Sequence, residues 1–323
     1  MRDRTLVRFR PLAFLLRALV RGLLLILGVT LISFLLMVHF GPDQTFTLIG
    51  KNASEQQIRE VRRQLGYDRP FIPRYADYLA GLFTLELDSS RSTGEPVRRI
   101  LGRTAPVTLA LVLPGFVLGN LLGIALAMVA AWHRGRWLDR LISGASVAGM
   151  SVSFLMIVIV LQVLLCTPYG LNLFPARGWE VTGPASYFEH VTVPTLALLL
   201  ATLGYDIRFY RAVFAEEIGQ DHIRTSIAFG ATPLELMGRH VLKNSLAPLI
   251  TRVMFSLPLI LVSGSLLLET YFGIPGLGKV LFDAITNGDQ PVLKAVVGLT
   301  AVLFVLAQLL ADLLYRLVDP RVA

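Results

Sequence analysis

Long apolar runs separated by shorter polar stretches set the plan of this chain. Residues 22–40, 106–131, 141–166, 191–205, 247–268 and 292–314 carry almost no charge. Most approach or exceed the ~18 residues that suggest a membrane span. As a helix, residues 22–40 would be roughly 28 Å long, enough to cross the hydrocarbon. The run exceeds the ~7–15-residue apolar core of a signal peptide. It ends in Val38-His39-Phe40-Gly41-Pro42, with no small-residue cleavage site, and reads as an uncleaved anchor. The pattern predicts an all-α integral membrane protein with about six transmembrane helices. A long polar segment, residues 41–103, follows the first span. Within it, residues 54–65 have amphipathic spacing with Ser54 as cap, and Tyr67-Asp68-Arg69-Pro70 ends that helix.

Composition agrees with a membrane protein. The chain is 54% hydrophobic and 16% charged, with mean hydropathy +0.64, which leaves too little polar surface for a soluble protein of 323 residues. The net charge of +8 does not point to nucleic acid. Arg and Lys cluster in short loops beside the apolar runs, as in Trp132-His133-Arg134-Gly135-Arg136, and there is neither zinc-finger spacing nor basic–aromatic interleaving. Basic loops lie inside, so both termini are expected in the cytoplasm. The segment 167–190, with Arg177 as its one basic residue, is expected outside. Residues 41–103 hold ten Lys and Arg, but a loop of that length largely escapes the rule; parity with the other loops places it outside. Asp206, Arg208, Arg252, Lys294 and Asp312 fall near span ends, where an ion costs least. The third run opens with Ser143, Gly144, Ser146, Gly149, Ser151 and Ser153, small residues that suit close helix packing better than a polar path.

The polar island 215–246 has a helix–turn–helix grammar. Residues 221–229 read as a short helix with Ile223, Ile227 and Ala228 near one face. Gly230 follows, suited to a left-handed turn. Thr232-Pro233-Leu234-Glu235 then supplies an N-cap, a first-turn proline and a capping-box glutamate. A second helix is expected over residues 233–244, with Leu234, Leu236, Met237, Val241 and Leu242 packing back on the spans. Arg208, Arg211, Arg224, Arg239, Lys243 and Arg252 in and around the island place it in the cytoplasm.

Candidate covalent chemistry is sparse. Gly273-Ile274-Pro275-Gly276-Leu277-Gly278-Lys279-Val280 differs by one residue from a phosphate loop, but Val280 offers no hydroxyl for Mg²⁺ and no strand is expected before it. The five histidines show no metal-ligand spacing. Cys166, the single cysteine, reads as a packing residue. No catalytic or metal-binding set is expected, and the chain is not expected to be an enzyme.

Several ordered motifs resemble one family. Arg224-Thr225-Ser226-Ile227-Ala228-Phe229-Gly230 is similar to the cytoplasmic loop E-A-A-x-x-x-G of ABC importer permeases. Arg239-His240-Val241-Leu242-Lys243-Asn244-Ser245-Leu246-Ala247-Pro248 resembles the continuation R-H-V-L-P-N-A-L-x-P in the B-type permeases of dipeptide, oligopeptide and nickel importers. Leu65-Gly66-Tyr67-Asp68-Arg69-Pro70, the set Glu269, Phe272, Pro275-Gly276-Leu277-Gly278, Ala284-Ile285 and Asp289, and the ending Asp312, Tyr315, Asp319-Pro320-Arg321 resemble that family's outer segments and C-terminus. Lys243 and Ser153 stand where Pro is usual, departures that bear on the subgroup and not on the family.

The resemblance implies a type-1 ABC importer permease fold, with residues 1–103 as first span plus external segment and 104–323 as the transmembrane domain. It implies half of a translocation pore, completed by a homologous second permease. Two cytoplasmic ATPase subunits would bring ATP and Mg²⁺, no cofactor being bound directly, and an external binding protein would deliver the substrate. Asp221, Arg224, Thr225, Ser226, Ala228 and Gly230 would form the ATPase-coupling loop. Glu269, Phe272, Pro275, Gly276, Gly278 and Asp289 would form an outer loop or gate facing the binding protein, against the plainer reading that Gly and Pro only shape a loop. Peptides are the expected substrate, with nickel or antimicrobial peptides as alternatives within the family. A stand-alone secondary transporter or channel is the competing class; it would favour ionisable residues at mid-membrane, which the spans lack.

Overall fold

A computed structural model of the chain describes residues 11–40, 45, 54–64, 66–84 and 87–318. The arginines expected at the N-terminus before residue 11, Leu65 and the ending Asp319-Pro320-Arg321 lie outside the described residues.

The apolar runs form helices, and most extend past the runs that predict them. The helices are α1 (Pro11–Phe40), α2 (Glu55–Gln64), α3 (Phe71–Thr84), α4 (Val97–Trp132), α5 (Trp137–Met150), α6 (Phe154–Cys166), α7 (Pro184–Ile218) and α8 (Asp221–Ala228). A short turn, α9 (Pro233–Glu235), leads into a π-helical segment, Leu236–Leu242. Then come α10 (Leu246–Leu259), a second π-helical segment (Ile260–Gly264), α11 (Ser265–Phe272), α12 (Leu277–Thr286) and α13 (Gln290–Val318). Ser54 caps α2 as expected: its hydroxyl accepts the Gln57 N–H at 3.4 Å, and the Gln57 amide oxygen accepts the Ser54 N–H at 3.0 Å.

Among the described residues, five stretches are long and apolar enough to cross a membrane: Val20–His39, Val97–Trp132, Pro184–Ile218, Leu246–Phe272 and Gln290–Leu317. A sixth crossing exists if α5 and α6 are taken together. Here the expected third span is corrected. It is not one helix over 141–166 but two, bent by 95°. The break falls at Ser151–Ser153. The Ser151 N–H and hydroxyl both return to the Val147 carbonyl, at 3.2 and 2.9 Å, while Ser153 is extended. Serines that bond back on their own helix compete with its continuation.

The expected second helix of the island and the fifth span also differ from ideal α-helices, each containing a π segment. The second follows Pro258, whose missing N–H removes a hydrogen bond from the ladder. The expected outer loop over 269–291 is corrected as well. Glu269 lies within α11, and residues 277–286 form α12. Glycines at turn positions mask, in the sequence, how much of this stretch is helical.

The described chain forms two compact units. One comprises Val107–Gly278 with the chain from Leu306. Its first core gathers Leu111 and Val112 of α4, Val158 of α6, Ala197 and Leu198 of α7, and Leu268 and Phe272 of α11. A second core gathers Ala127, Tyr210, Phe214, Ile223, Leu236, Met237 and Val241. Two ion pairs staple its helices. Arg211 forks onto both oxygens of Asp139 at 2.6 and 2.7 Å, and Arg252 reaches Asp206 at 2.9 Å. The Tyr210 hydroxyl donates to the Asn120 amide oxygen at 2.5 Å.

The other unit comprises Arg10–Pro106 and Lys279–Val305. Val97, Ile100, Ala284, Val292, Ala295 and Val296 form its apolar core. Phe34 of α1 packs on Phe71, Tyr75 and Tyr78 of α3, with ring centroids 5.4–5.6 Å apart. The Tyr75 hydroxyl donates to the Leu27 carbonyl at 2.8 Å, and the Tyr78 hydroxyl to the Lys294 carbonyl at 2.9 Å.

Candidate functional site

The island between α7 and α10 is built as a rigid bracket. α7 runs to Ile218, the chain turns at Gly219 and Gln220, and α8 begins at Asp221. Ile223 of α8 is fully buried, packed with Tyr210, Phe214, Leu236, Met237 and Val241. Burial of one such side chain contributes roughly 1.5–3 kcal/mol, enough to hold an eight-residue helix that would not form alone.

α8 ends as the sequence predicts. Gly230 has φ +83°. The Ala231 N–H bonds the Ser226 carbonyl at 3.1 Å, and the Gly230 N–H bonds the Ile227 carbonyl at 2.9 Å. This pair of bonds is the Schellman motif, which satisfies carbonyls the helix end would otherwise leave open. The Thr232 hydroxyl then accepts the Glu235 N–H at 3.3 Å. The Glu235 carboxylate turns to Arg239, 3.0 Å away, instead of bonding back to Thr232 as in a full capping box.

A polar clasp missed by the sequence reading closes the bracket. The Asn244 amide donates to a Glu217 carboxylate oxygen at 2.8 Å, and His222 lies 3.0 Å from the same oxygen. The clasp joins the end of α7, the first turn of α8 and the end of the π segment. Asn244 stood inside a recognised motif, but its partners lie 22 and 27 residues away, beyond any local pattern.

The face left outside is partly apolar. Phe229 is 87% exposed, Leu234 86% and Ile227 53%. The expectation that Leu234 packs back on the spans is thus corrected, and Ile227, though near the face of Ile223, is exposed. Only Ile223 reaches the core from α8, and Ile227, one turn further along, extends past it. Asp221, Arg224, Thr225, Ala228 and Gly230 are exposed and Ser226 is half-buried. The Thr225 and Ser226 hydroxyls fold back on the Asp221 and His222 carbonyls. Arg224 lies 3.6 Å from Asp221, and both are exposed, so their attraction contributes little to stability.

The second candidate set divides between the two units. In the unit of Val107–Gly278, Glu269 and Phe272 are buried. The Thr108 hydroxyl donates to Glu269 at 2.6 Å and accepts the Leu277 N–H at 2.8 Å. Gly276 lies against the Glu269 carboxylate. At Gly278 a Cβ would lie 2.5 Å from the Leu266 backbone, so no larger residue fits without parting α11 and α12. Pro275 lies in the turn between those helices. In the other unit Asp289 is buried. One of its oxygens accepts the hydroxyls of Ser90 and Ser92 at 2.5 and 2.7 Å and the Ser92 N–H at 3.2 Å. Burial by itself would raise the Asp289 pKa, but these bonds, with the Arg91 N–H, outweigh it and hold the carboxyl below its ordinary value. Among the described residues no three His, Cys, Asp or Glu are grouped to hold a metal.

Comparison with known proteins agrees with this architecture. The family described as binding-protein-dependent transport system inner membrane component matches residues 107–323. The N-terminal region of the same class of membrane component matches residues 11–102. The chain is 30% identical to a Sinorhizobium fredii protein named "Probable peptide ABC transporter permease protein y4tP", over 96% of this chain and 98% of that one. It is 33% identical to the dipeptide transport system permease protein DppB of Lactococcus lactis, and 31% identical to the glutathione transport system permease protein GsiC of Escherichia coli. Each of these two matches covers 93% of this chain and 96% of the relative. With its membrane-spanning helices and a family match over its C-terminal two-thirds, the chain belongs to the binding-protein-dependent transport system inner membrane components, as a multi-pass permease subunit of an ABC transporter.

Proposed function

We propose that the chain forms half of the translocation pathway of an ATP-driven peptide importer, and that α8 with its turn is the surface that receives force from a cytoplasmic ATPase subunit. One observation carries this reading: Phe229, Ile227 and Leu234 are held exposed on a bracket whose other side is anchored by Ile223. Apolar side chains kept in water on a rigid support suit an apolar cleft on a partner. Rigid-body transmission needs such a support, since a slack loop absorbs displacement.

In this reading residues 1–103 are the first span with an external segment, and residues 104–323 are the transmembrane domain. A homologous second permease completes the pore, two ATPase subunits supply ATP and Mg²⁺, and an external binding protein delivers the substrate. Both termini and the island lie in the cytoplasm. Glu269, Phe272, Pro275, Gly276, Gly278 and Asp289 act by holding the shape of the outer segments: the side chains of Glu269, Phe272 and Asp289 turn inward, Pro275 and Gly276 shape the turn between α11 and α12, and Gly278 allows those helices to approach. A peptide substrate is favoured by the names of the relatives, which include peptide, dipeptide and glutathione permeases.

The reading is tested by reconstituting the chain with its partner subunits in liposomes that enclose ATP, and adding the loaded binding protein outside. Labelled dipeptide should accumulate only with ATP. ATP-dependent accumulation of nickel, with none of dipeptide, would reassign the substrate.

A further inference from the structure

A cavity of about 280 Å³ lies within the unit of Arg10–Pro106 and Lys279–Val305, a size at the lower edge of small-ligand sites. Arg69, Arg74, Arg91 and Lys294 line it, against two carboxylates, Asp77 and Asp88. Asp77 is engaged by Arg69 at 2.9 Å. Arg74 and Lys294 form no ion pair among the described residues. Both sit instead over the same ring. The Lys294 ammonium is 5.1 Å and the Arg74 guanidinium 5.9 Å from the Phe34 centroid, and Arg74 also lies 5.5 Å from the Tyr67 centroid. A ring quadrupole attracts a cation but does not neutralise it. Like charges gathered at one cavity repel each other, and a bound anion relieves that repulsion.

The depth of the cavity narrows the class of anion. Phe34 lies six residues before the end of α1, about 9 Å along the helix. Lys294 lies four residues into α13, about 6 Å from its start. Both helices are long and apolar enough to span, so the cavity sits where the hydrocarbon gives way to headgroups. A lysine there extends its ammonium toward that interface. Elsewhere on these helices α1 exposes Ile32, Leu35 and Leu36, and α3 exposes Ile72 at 77%, as faces turned to hydrocarbon do.

We propose that this cavity binds the headgroup of an anionic phospholipid, with Arg74 and Lys294 as the phosphate contacts. The Tyr78–Lys294 hydrogen bond fixes the backbone beneath it. A zwitterionic lipid is disfavoured because its choline would face the same cations.

The test is lipid retention by the full chain, purified from membranes with its partner subunits and read by native mass spectrometry. Phosphatidylglycerol should be retained in preference to phosphatidylcholine. Arg74→Gln and Lys294→Gln should each lower retained phosphatidylglycerol about fivefold. Lys294→Arg should keep it, which separates loss of charge from loss of fold. Millimolar inorganic phosphate should not displace the lipid. Equal retention of the two lipids, or unchanged retention in both Gln variants, would overturn the proposal. Displacement by inorganic phosphate would assign the cavity to a soluble anion instead. Gln variants that keep the lipid but bind the external binding protein more weakly would assign it to a protein carboxylate.

Discussion

Thr108 and Glu269 are 161 positions apart, yet the Thr108 hydroxyl donates to the buried Glu269 carboxylate at 2.6 Å. The same oxygen accepts the Leu277 N–H at 2.8 Å, so one hydroxyl joins α4, α11 and the first turn of α12. The shape of the segment around Pro275 and Gly276 depends on this junction.

Thr108→Val keeps the side-chain volume and removes the hydroxyl. It leaves both the carboxylate and the amide short of a partner. A hydrogen bond contributes about 0.5–1.5 kcal/mol, and a buried group left unsatisfied costs about 1–3 kcal/mol. The detergent-solubilised complex should therefore melt several degrees lower in Thr108→Val and near the wild-type temperature in Thr108→Ser. Equal melting of Thr108→Val and wild type would show that the junction does not hold the segment.

Asp289 should stabilise its turn in a pH-dependent way. Its folded pKa is depressed below the ordinary ~3.9 of an unfolded Asp. The stabilisation is then fully present above that unfolded value and is lost as pH falls through the folded one. Hydrogen exchange around Ser90 and Ser92, corrected for intrinsic rate, should be flat over about pH 5–8 and rise only below about pH 4. Asp289→Asn should exchange roughly tenfold to a hundredfold faster at neutral pH. A rise beginning near neutrality in the wild type would contradict the depressed carboxyl.

The membrane plan and the bracket were largely legible because both are written in local signals. Span length and the run Gly230, Thr232, Pro233 and Glu235 are both read within one stretch of chain. What escaped notice depends on distant partners. The burial of Glu269 follows from Thr108, and that of Asp289 from Ser90, 199 positions away. The bend between α5 and α6 escaped for a different reason. Ser151 and Ser153 read equally well as small residues for close packing, and only their backbone bonds show a break. Phe229 and Leu234 were hidden by hydrophobicity itself, since an apolar residue gives no sign of whether it faces a core or a partner.

Gly230 separates backbone strain from crowding. Apart from its chain neighbours, no residue's atom lies within 4 Å of where its Cβ would stand, so a side chain has room. The left-handed φ alone should penalise a β-branched residue by at least ~1–2 kcal/mol, while Asn adopts it readily. Gly230→Val should therefore insert in the membrane but lose uptake, and Gly230→Asn should transport near wild-type rates. Full uptake by Gly230→Val would mean the turn's geometry does not matter to transport.

The proposed coupling surface is tested most directly at Phe229. The side chain is 87% exposed, and a surface change of this kind alters stability by only about ±0.5 kcal/mol. Phe229→Asp should thus fold, insert and purify like the wild type, while placing a charge on the face proposed to dock the ATPase. In liposomes containing the assembled transporter, peptide uptake should fail, and the loaded binding protein should no longer stimulate ATP hydrolysis. Wild-type uptake together with wild-type stimulation in Phe229→Asp would contradict the assignment of α8 and its turn as the surface that receives the force of ATP hydrolysis.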